Sequence, residues 1–256
     1  MSTMPVLFVG HGSPMNALED NEYTRTWKTL GQRIPKPKAI LCISAHWFTR
    51  GTRIMNEAHP KMIYDMYGFP DELYEVIYNP PGSPHFANRV KTLVSTKTTF
   101  DSSWGFDHGA WSVLLHMYPE MDIPLFQMSI DATAPSIVHY TIGQELQALR
   151  EEGVLIIGSG NIVHNLRLVD WHNPTKGFDW AHEFDQFIDE SIKKRTHRAI
   201  INYQEKEKIA SLAVPTPDHF FPLLYVLGAT RAEDEISVHN RFCVMGSLTM
   251  TSYLFE

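Results

Sequence analysis

Two short apolar runs, each closed by small residues and a histidine, constrain the fold of this chain more than any other feature. Pro5 to Val9 leads into Gly10-His11-Gly12, and Ala39 to Ala45 is followed by His46. Short apolar runs bounded by turn-forming residues are typical of strands that are buried on both faces. Such strands belong to parallel sheets covered by helices on both sides. The pattern therefore predicts an α/β fold.

A strand, helix and strand in succession support a parallel sheet. Ile123 to Ile130 is predicted to be a strand, about Pro135 to Glu151 a helix, and Val154 to Ile157 a second strand. Parallel strands need a crossover connection of this kind. We therefore expect a single catalytic domain over residues 1–256, with a mostly parallel or mixed central sheet flanked by helices.

The rest of the chain is predicted from capping residues and apolar spacing. The long segment 51–82 lacks periodicity, and we interpret it as an irregular excursion that forms part of a pocket wall and could act as a lid. The further predicted elements are a helix beginning near Ser83-Pro84, a helix from Gly109 to Tyr118, an amphipathic helix from Trp180, a helix from Thr216 to Gly228 that kinks at Pro222, and one or two strands between Phe242 and Leu254.

Composition narrows the possible functions. The chain is 43% hydrophobic and 20% charged, which is typical of a globular protein. Its net charge is -7 and its basic residues are scattered, so we expect no nucleic-acid partner. Cys42 and Cys243 each lie in an apolar run and are predicted to be buried free thiols. We find neither a secretory leader nor an apolar run of ~18 residues, which predicts a cytoplasmic location and no membrane partner.

The histidines are the candidates for chemistry. His11, His46 and His164 follow predicted strands, and the carboxyl ends of parallel strands meet at one crevice. Neutral imidazole is the commonest protein ligand for metals, so three such side chains would form a metal site with open positions. A single histidine at a strand end is more often a hydrogen-bonded structural residue. Spacing alone leaves both interpretations open.

A resemblance to a known family adds to this pattern. It lies in five segments that follow one another along nearly the whole chain: Gly10-His11-Gly12-Ser13-Pro14, Ser44-Ala45-His46-Trp47, Trp104-Gly105-Phe106-Asp107-His108-Gly109, Gly158-Ser159-Gly160-Asn161-Ile162-Val163-His164-Asn165, and Pro215-Thr216-Pro217-Asp218-His219. Together they resemble the class III extradiol ring-cleavage dioxygenases, which are LigB-like, and within them the DOPA 4,5-dioxygenase branch.

The resemblance implies roles for five histidines. His11, His46 and His219 would bind one divalent metal ion per chain. The other branches of the superfamily use a carboxylate as the third protein ligand, so an all-histidine set is a departure from them. His164 would be the acid/base residue, close enough to the metal to serve also as a fourth ligand. His108 would hydrogen-bond substrate or oxygen, although a structural role before its helix is an alternative.

Two further residues, Ser13 and Asp107, are predicted to orient the metal ligands through hydrogen bonds, although both are also common loop residues. The implied metal is Fe(II) for ring cleavage, with Zn(II) expected in the purified protein. No other cofactor is expected, because Gly158-Ser159-Gly160-Asn161 is not followed by the Gly-Lys-Ser/Thr of a phosphate-binding loop.

The implied reaction is extradiol cleavage of a catechol by dioxygen, with a small aromatic diol as substrate and a seco-DOPA or betalamic-acid type of product. Two alternatives remain open from the residues. A zinc-dependent hydrolase or hydratase could use the same histidines, because zinc lowers the pKa of bound water to about 7. A non-enzymatic interaction module could also have this fold.

Overall fold

A six-stranded mixed sheet forms the centre of the molecule in the computed structural model, which describes residues 3–256. The strands of the chain are β1 (Val6–Gly10), β2 (Ala39–Ser44), β3 (Phe48–Thr49), β4 (Thr52–Met55), β5 (Thr98–Asp101), β6 (Leu125–Gln127), β7 (Ile130–Asp131), β8 (Val154–Gly160), β9 (Ile236–His239), β10 (Cys243–Val244), β11 (Leu248–Thr249) and β12 (Ser252–Phe255). The order in the central sheet is β6-β2-β8-β1-β12-β9. The first four of these are parallel, and β12 is antiparallel to both of its neighbours.

Helices cover both faces of this sheet. They are α1 (Glu22–Arg33), α2 (Pro84–Leu93), α3 (His108–Met117), α4 (Ser136–Leu146), α5 (Ala148–Glu151), α6 (Asp179–Lys193), α7 (His197–Ile201), α8 (Glu207–Ala213) and α9 (Phe221–Ala229). Alternate strand residues point to opposite faces. Accordingly, Val6 and Phe8 of β1 share a buried cluster with α4, α6 and α9, whereas Leu7 and Val9 share another with α1 and α3. The predicted α/β fold with a mixed, helix-flanked sheet is confirmed.

The strand register brings three chain segments to one edge of the sheet. Gly10 at the end of β1 is paired with Gly160 at the end of β8, and Ser44 at the end of β2 is paired with Ser159. Because these strands are parallel and end at the same level, the segments that follow them leave the sheet side by side. Residues 11, 46 and 164 all belong to these exit segments.

Several predicted elements have different bounds in the structure. The strand predicted from Ile123 to Ile130 is two strands, of which only β6 joins the central sheet, while β7 pairs with β3. The helix predicted from about Pro135 to Glu151 is divided into α4 and α5. The excursion 51–82 is less irregular than expected, because it contains β4 and a short 3-10 helix, Asp71–Glu75.

The kink predicted at Pro222 was wrong. The helix begins at Phe221 rather than near Thr216, so Pro222 lies in its first turn. Backbone N–H groups there have no partner within the helix, so the N–H that proline lacks costs no hydrogen bond. His219 consequently precedes α9 instead of lying in its first turn. The tail has three short strands where one or two were expected, and β12 is the one that joins the central sheet.

Two other predictions, for Ser83 and for the two cysteines, are confirmed. Ser83 caps α2 by accepting a hydrogen bond from the Phe86 backbone N–H. Cys42 and Cys243 are buried free thiols. No helix within residues 3–256 has the length and apolar character needed to cross a membrane.

Candidate metal centre

Three histidines from distant parts of the chain bring one ring nitrogen each to a common point. The nitrogens offered by His11, His46 and His219 lie within 4.8 Å of one another. His11 Nε2 and His46 Nε2 are 3.1 Å apart. Two bonds of about 2.1 Å to a shared ion, at angles between about 90° and 110°, place their donor atoms roughly 3.0–3.4 Å apart. The spacing of these two nitrogens therefore fits simultaneous binding of one metal ion.

The opposite nitrogen of each ring faces an oxygen atom. His11 Nδ1 is 3.0 Å from Ser159 Oγ, which itself donates to the Gly109 carbonyl at 2.5 Å and therefore accepts from the histidine. His219 Nδ1 is hydrogen-bonded to the Asp218 carboxylate. His46 Nδ1 lies 3.4 Å from Asp65 Oδ2. The hydrogen-bond partners of His11 and His219 hold the proton on Nδ1 and leave the lone pair of Nε2 free for a metal ion.

Burial keeps these rings neutral. It lowers the pKa of His46 to about 3, and the nearby His108 acts in the same direction. Burial also lowers the pKa of His11 and of His219 well below the usual value, reinforced for His11 by His46 and for His219 by His164. A metal ion binds neutral imidazole, so the donor set needs no deprotonation near pH 7.

Glycines allow the segments that carry the histidines to approach one another closely. A Cβ atom on Gly160 would lie 2.1 Å from the His219 carbonyl oxygen. A Cβ on Gly109 would lie 2.4 Å from Ser44 Oγ and 2.9 Å from the His46 ring. In addition, the Asn161 N–H donates to the His219 carbonyl at 2.9 Å. The absence of side chains at these positions thus leaves room for His46 and His219 at the sheet edge.

His108 lies beside the three-histidine group at the first turn of α3. Its ring centroid is 3.8 Å from that of His46 and 5.6 Å from that of His11. Both its backbone N–H and its Nδ1 bond to the Asp65 carboxylate, at 2.8 and 2.9 Å. Burial alone would raise the pKa of Asp65, but the hydrogen bonds and charge of His108 outweigh it and lower that pKa. His108 therefore faces the site with a fixed ring.

His164 packs on the other side of the group. Its ring is stacked on His219 with centroids 3.5 Å apart and planes 5° apart. One of its nitrogens groups with Asp218 and His219, not with His11 and His46. Burial lowers the pKa of His164 to about 4, partly offset by the Asp218 charge. Both roles of His164, as acid/base residue and as fourth ligand, stay predictions.

Asp107 supports the site indirectly. Its buried carboxylate accepts hydrogen bonds from Ser44 Oγ at 2.5 Å, Gln127 Nε2 at 2.8 Å and Trp104 Nε1 at 3.1 Å. Burial, and then the charge of Asp65, raises its pKa. Ser44 in turn accepts from the His46 backbone N–H at 3.3 Å. Asp107 thus contacts the segment that carries His46, and its bonding to a ligand ring stays a prediction.

Ser13 has a different partner from the one predicted. Its hydroxyl accepts from the Met15 N–H at 3.2 Å and caps the short helix Pro14–Ala17. None of the hydrogen bonds found in the described part of the chain joins Ser13 to a site histidine. The other eight histidines lie outside the cluster; His139, for example, is buried against the Tyr225 hydroxyl at 2.9 Å.

Three oxygen-bearing residues of the site received no role from the sequence. Ser159 and Asp218 lie within the motifs that carry the family resemblance, and the position of Asp218 next to His219 was an available signal. Asp65 gave none, because it lies in the 51–82 segment without periodicity. Its two bonds to His108 appear only when the chain is folded.

Comparison with known proteins decides the family. The model of the family described as the catalytic LigB subunit of aromatic ring-opening dioxygenase matches residues 5–255. The chain belongs to this family. It is therefore an oxidoreductase, a ring-cleaving dioxygenase of the non-haem, metal-dependent kind, which argues against a hydrolase and against a non-enzymatic module. An aromatic diol and dioxygen are the substrates that the family implies.

Relatives with specific names cover almost all of the chain. An Escherichia coli K12 protein named 4,5-DOPA dioxygenase extradiol is 46% identical over 97% of this chain and 93% of its own length. The protein of the same name from Beta vulgaris is 35% identical over 97% and 95%. A crystal structure of an uncharacterized Escherichia coli K12 protein matches with a TM-score of 0.87 and 42% identity, covering 99% of this chain and 100% of that one.

Proposed function

We propose that this family member is an iron(II)-dependent extradiol dioxygenase that opens the ring of L-DOPA, or a closely related catechol, between carbons 4 and 5. The proposal rests chiefly on the convergence of His11, His46 and His219, whose offered nitrogens lie within 4.8 Å of one another. The product would be a seco-DOPA that can cyclise towards betalamic acid.

The donor set suits the proposed ion. Imidazole nitrogen binds both iron and zinc, and three protein ligands leave positions for substrates. Iron(II) would supply a centre that polarises the diol and exchanges electrons with dioxygen. His11, His46 and His219 would hold it through Nε2, with the Nδ1 protons of His11 and His219 directed to Ser159 and Asp218. Zinc binds the same ligands and is expected in protein purified without iron.

Two flanking histidines would handle protons. The neutral ring of His164 can accept a proton from a catechol hydroxyl as the diol binds, and return it to oxygen during ring opening. His108 faces the site from the opposite side with its Nδ1 occupied by Asp65, so its Nε2 is the nitrogen available to the substrate. The histidines therefore divide into three that would hold the ion and two that would touch the substrate.

The choice of DOPA is supported by the names of the relatives. Proteins from Escherichia coli, Beta vulgaris and Mirabilis jalapa that cover most of this chain are all named 4,5-DOPA dioxygenase extradiol.

An oxygen-electrode assay tests the proposal. The protein is loaded anaerobically with iron(II), mixed with L-DOPA and exposed to oxygen. We expect one dioxygen consumed per ring opened, with both oxygen atoms recovered by isotope labelling and mass spectrometry in the seco product before it cyclises, since cyclisation releases the aldehyde oxygen as water. Zinc-loaded protein should consume none, because zinc has no accessible redox change. Turnover of an ester or hydration substrate by zinc-loaded protein, without oxygen uptake by the iron form, would replace the proposal with a hydrolytic function.

A further inference from the structure

Asp65 makes contacts with two site histidines that have different roles. Its Oδ1 accepts the His108 backbone N–H at 2.8 Å, and its Oδ2 accepts His108 Nδ1–H at 2.9 Å. The same Oδ2 lies 3.4 Å from Nδ1 of His46. The Asp65, His46 and His108 atoms form a compact group within 4.8 Å. One carboxylate therefore contacts both a proposed metal ligand and a proposed substrate-binding histidine.

The backbone around Asp65 is fixed to the scaffold. The Ile63 N–H donates to the Phe106 carbonyl at 2.9 Å, and the Ile63 carbonyl accepts from Trp111 Nε1 at 3.1 Å. Phe106 lies two residues before His108, and Trp111 lies in the same helix as His108. The segment that carries Asp65 is thus attached to the start of α3 on both sides of the histidine.

Asp107, the acid that the sequence indicated, cannot take this role. Its carboxylate is engaged by Ser44, Gln127 and Trp104, which are not site histidines. Asp65 is 10% exposed and has His108 as its hydrogen-bonding partner. A carboxylate that accepts from Nδ1 sets the tautomer of an imidazole and leaves Nε2 without a proton.

We propose that Asp65 is a positioning residue that fixes the Nδ1–H tautomer and the ring orientation of His108 while supporting the metal ligand His46, so that one side chain couples metal binding to catechol binding. The inference deepens the proposed function and rests on it for the identity of the catechol. Its contacts do not depend on oxygen chemistry, so it can be tested on zinc-loaded protein, which does not turn over.

The first test measures metal affinity. Zinc is titrated against a chromogenic chelator for the wild type, Asp65→Asn and Asp71→Asn. Asp71 lies exposed in the same segment and provides a control for the loss of one negative charge. Loss of a carboxylate behind a metal-bound histidine typically costs roughly 10–100-fold in affinity. We expect such a loss for Asp65→Asn and none for Asp71→Asn; equal affinities for all three proteins would overturn the link to His46.

The second test measures coupling to His108. Catechol is titrated anaerobically into protein saturated with zinc, for the wild type, Asp65→Asn, His108→Ala and the double variant. We expect Asp65→Asn alone to weaken catechol binding severalfold relative to the wild type. When His108→Ala is already present, adding Asp65→Asn should weaken catechol binding no further. Its effect on zinc affinity should persist in that background, since it acts through His46. Additive effects on catechol binding would refute the coupling.

A third measurement needs no variant at Asp65 and applies even if Asp65→Asn does not fold. The ring nitrogens of His108 are observed by nitrogen NMR in zinc-loaded wild type, assigned by comparison with His108→Ala. We expect a protonated Nδ1 and an unprotonated Nε2; the reverse tautomer would overturn the proposal. If the iron form consumes no oxygen with any catechol, the proposed function fails. The three measurements on zinc-loaded protein would still test the role of Asp65.

Discussion

Gly160 provides a direct test of whether the position of the His219 backbone determines metal binding. In Gly160→Ala, the new Cβ would lie 2.1 Å from the His219 carbonyl oxygen, whereas ordinary contact begins near 3.4 Å, so the His219 segment must move by about 1.3 Å. Metal sites tolerate about 0.2 Å in ligand distance. The displacement is several times larger than this tolerance, and one of the three proposed ligands should be lost.

We expect two separate effects of this substitution. Overpacking a well-filled site costs about 1–3 kcal/mol of unfolding free energy. Zinc affinity should fall by at least roughly 100-fold, the upper end of the range for losing a residue that merely supports a ligand. Urea unfolding of the metal-free protein measures the first effect, and zinc titration against a chelator measures the second.

Gly143→Ala is the matched control. Its Cβ would lie 2.2 Å from the Tyr225 carbonyl oxygen, a clash of nearly the same size between α4 and α9. That contact is not part of the histidine cluster, so the variant should lose stability but retain zinc affinity when folded. If Gly160→Ala binds zinc as tightly as the wild type, His219 is not held in place by this contact or is not a ligand, and the reasoning fails.

Three further predictions concern other parts of the structure. His219→Ala should abolish tight zinc binding in chelator competition. His164→Gln should still bind zinc, but the oxygen-uptake rate of its iron form should fall roughly 10²–10⁴-fold, as expected when a proton-transfer group is lost. If both variants lose zinc affinity equally, His164 is a metal ligand. Burial raises the pKa of Asp185 from 3.8 to about 6, so between these pH values the native state binds a proton that the unfolded state has released. The contribution of Asp185 to the free energy of unfolding is therefore complete below about pH 4 and is lost as the pH rises through 6. Urea unfolding should show the wild type losing about 3 kcal/mol over that window relative to Asp185→Asn, at about 1.36 kcal/mol per pKa unit, and parallel profiles would contradict this. Arg150→Leu should cost about 3–5 kcal/mol in the same assay, because it leaves Asp234 buried without the partner it now binds through two guanidinium nitrogens at 2.7 and 2.8 Å; a loss below 1 kcal/mol would show that the pair is not important for stability.

The topology of the sheet explains why much of the site could be predicted. His11 and His46 directly follow strands whose apolar runs are visible in the sequence, and parallel strands end at a common edge. The structure places both histidines there. His219 follows no strand, and spacing did not group it with the other two. Only the family resemblance indicated it, and the bounds predicted for its helix were wrong because the helix begins at Phe221, with Pro222 in its first turn, instead of bending at Pro222.

The carboxylates illustrate what the sequence could not reveal. A buried carboxylate is costly unless it accepts hydrogen bonds, so its position is determined by its donors. Asp107 lies next to His108 in the chain, yet its donors are Ser44, Gln127 and Trp104. Asp65 is 43 residues away from His108 and accepts both of its N–H groups.

Proximity in sequence therefore does not identify the partner of His108. His108 offers two donors at the site edge, its backbone N–H and its ring N–H. Because His108 is the first residue of α3, its backbone N–H has no partner within the helix. A carboxylate from a segment without regular structure can satisfy both at once, since such a segment is not held by its own backbone ladder. Asp65 comes from such a segment, and the lack of periodicity there is the reason that no pattern in the sequence reveals it.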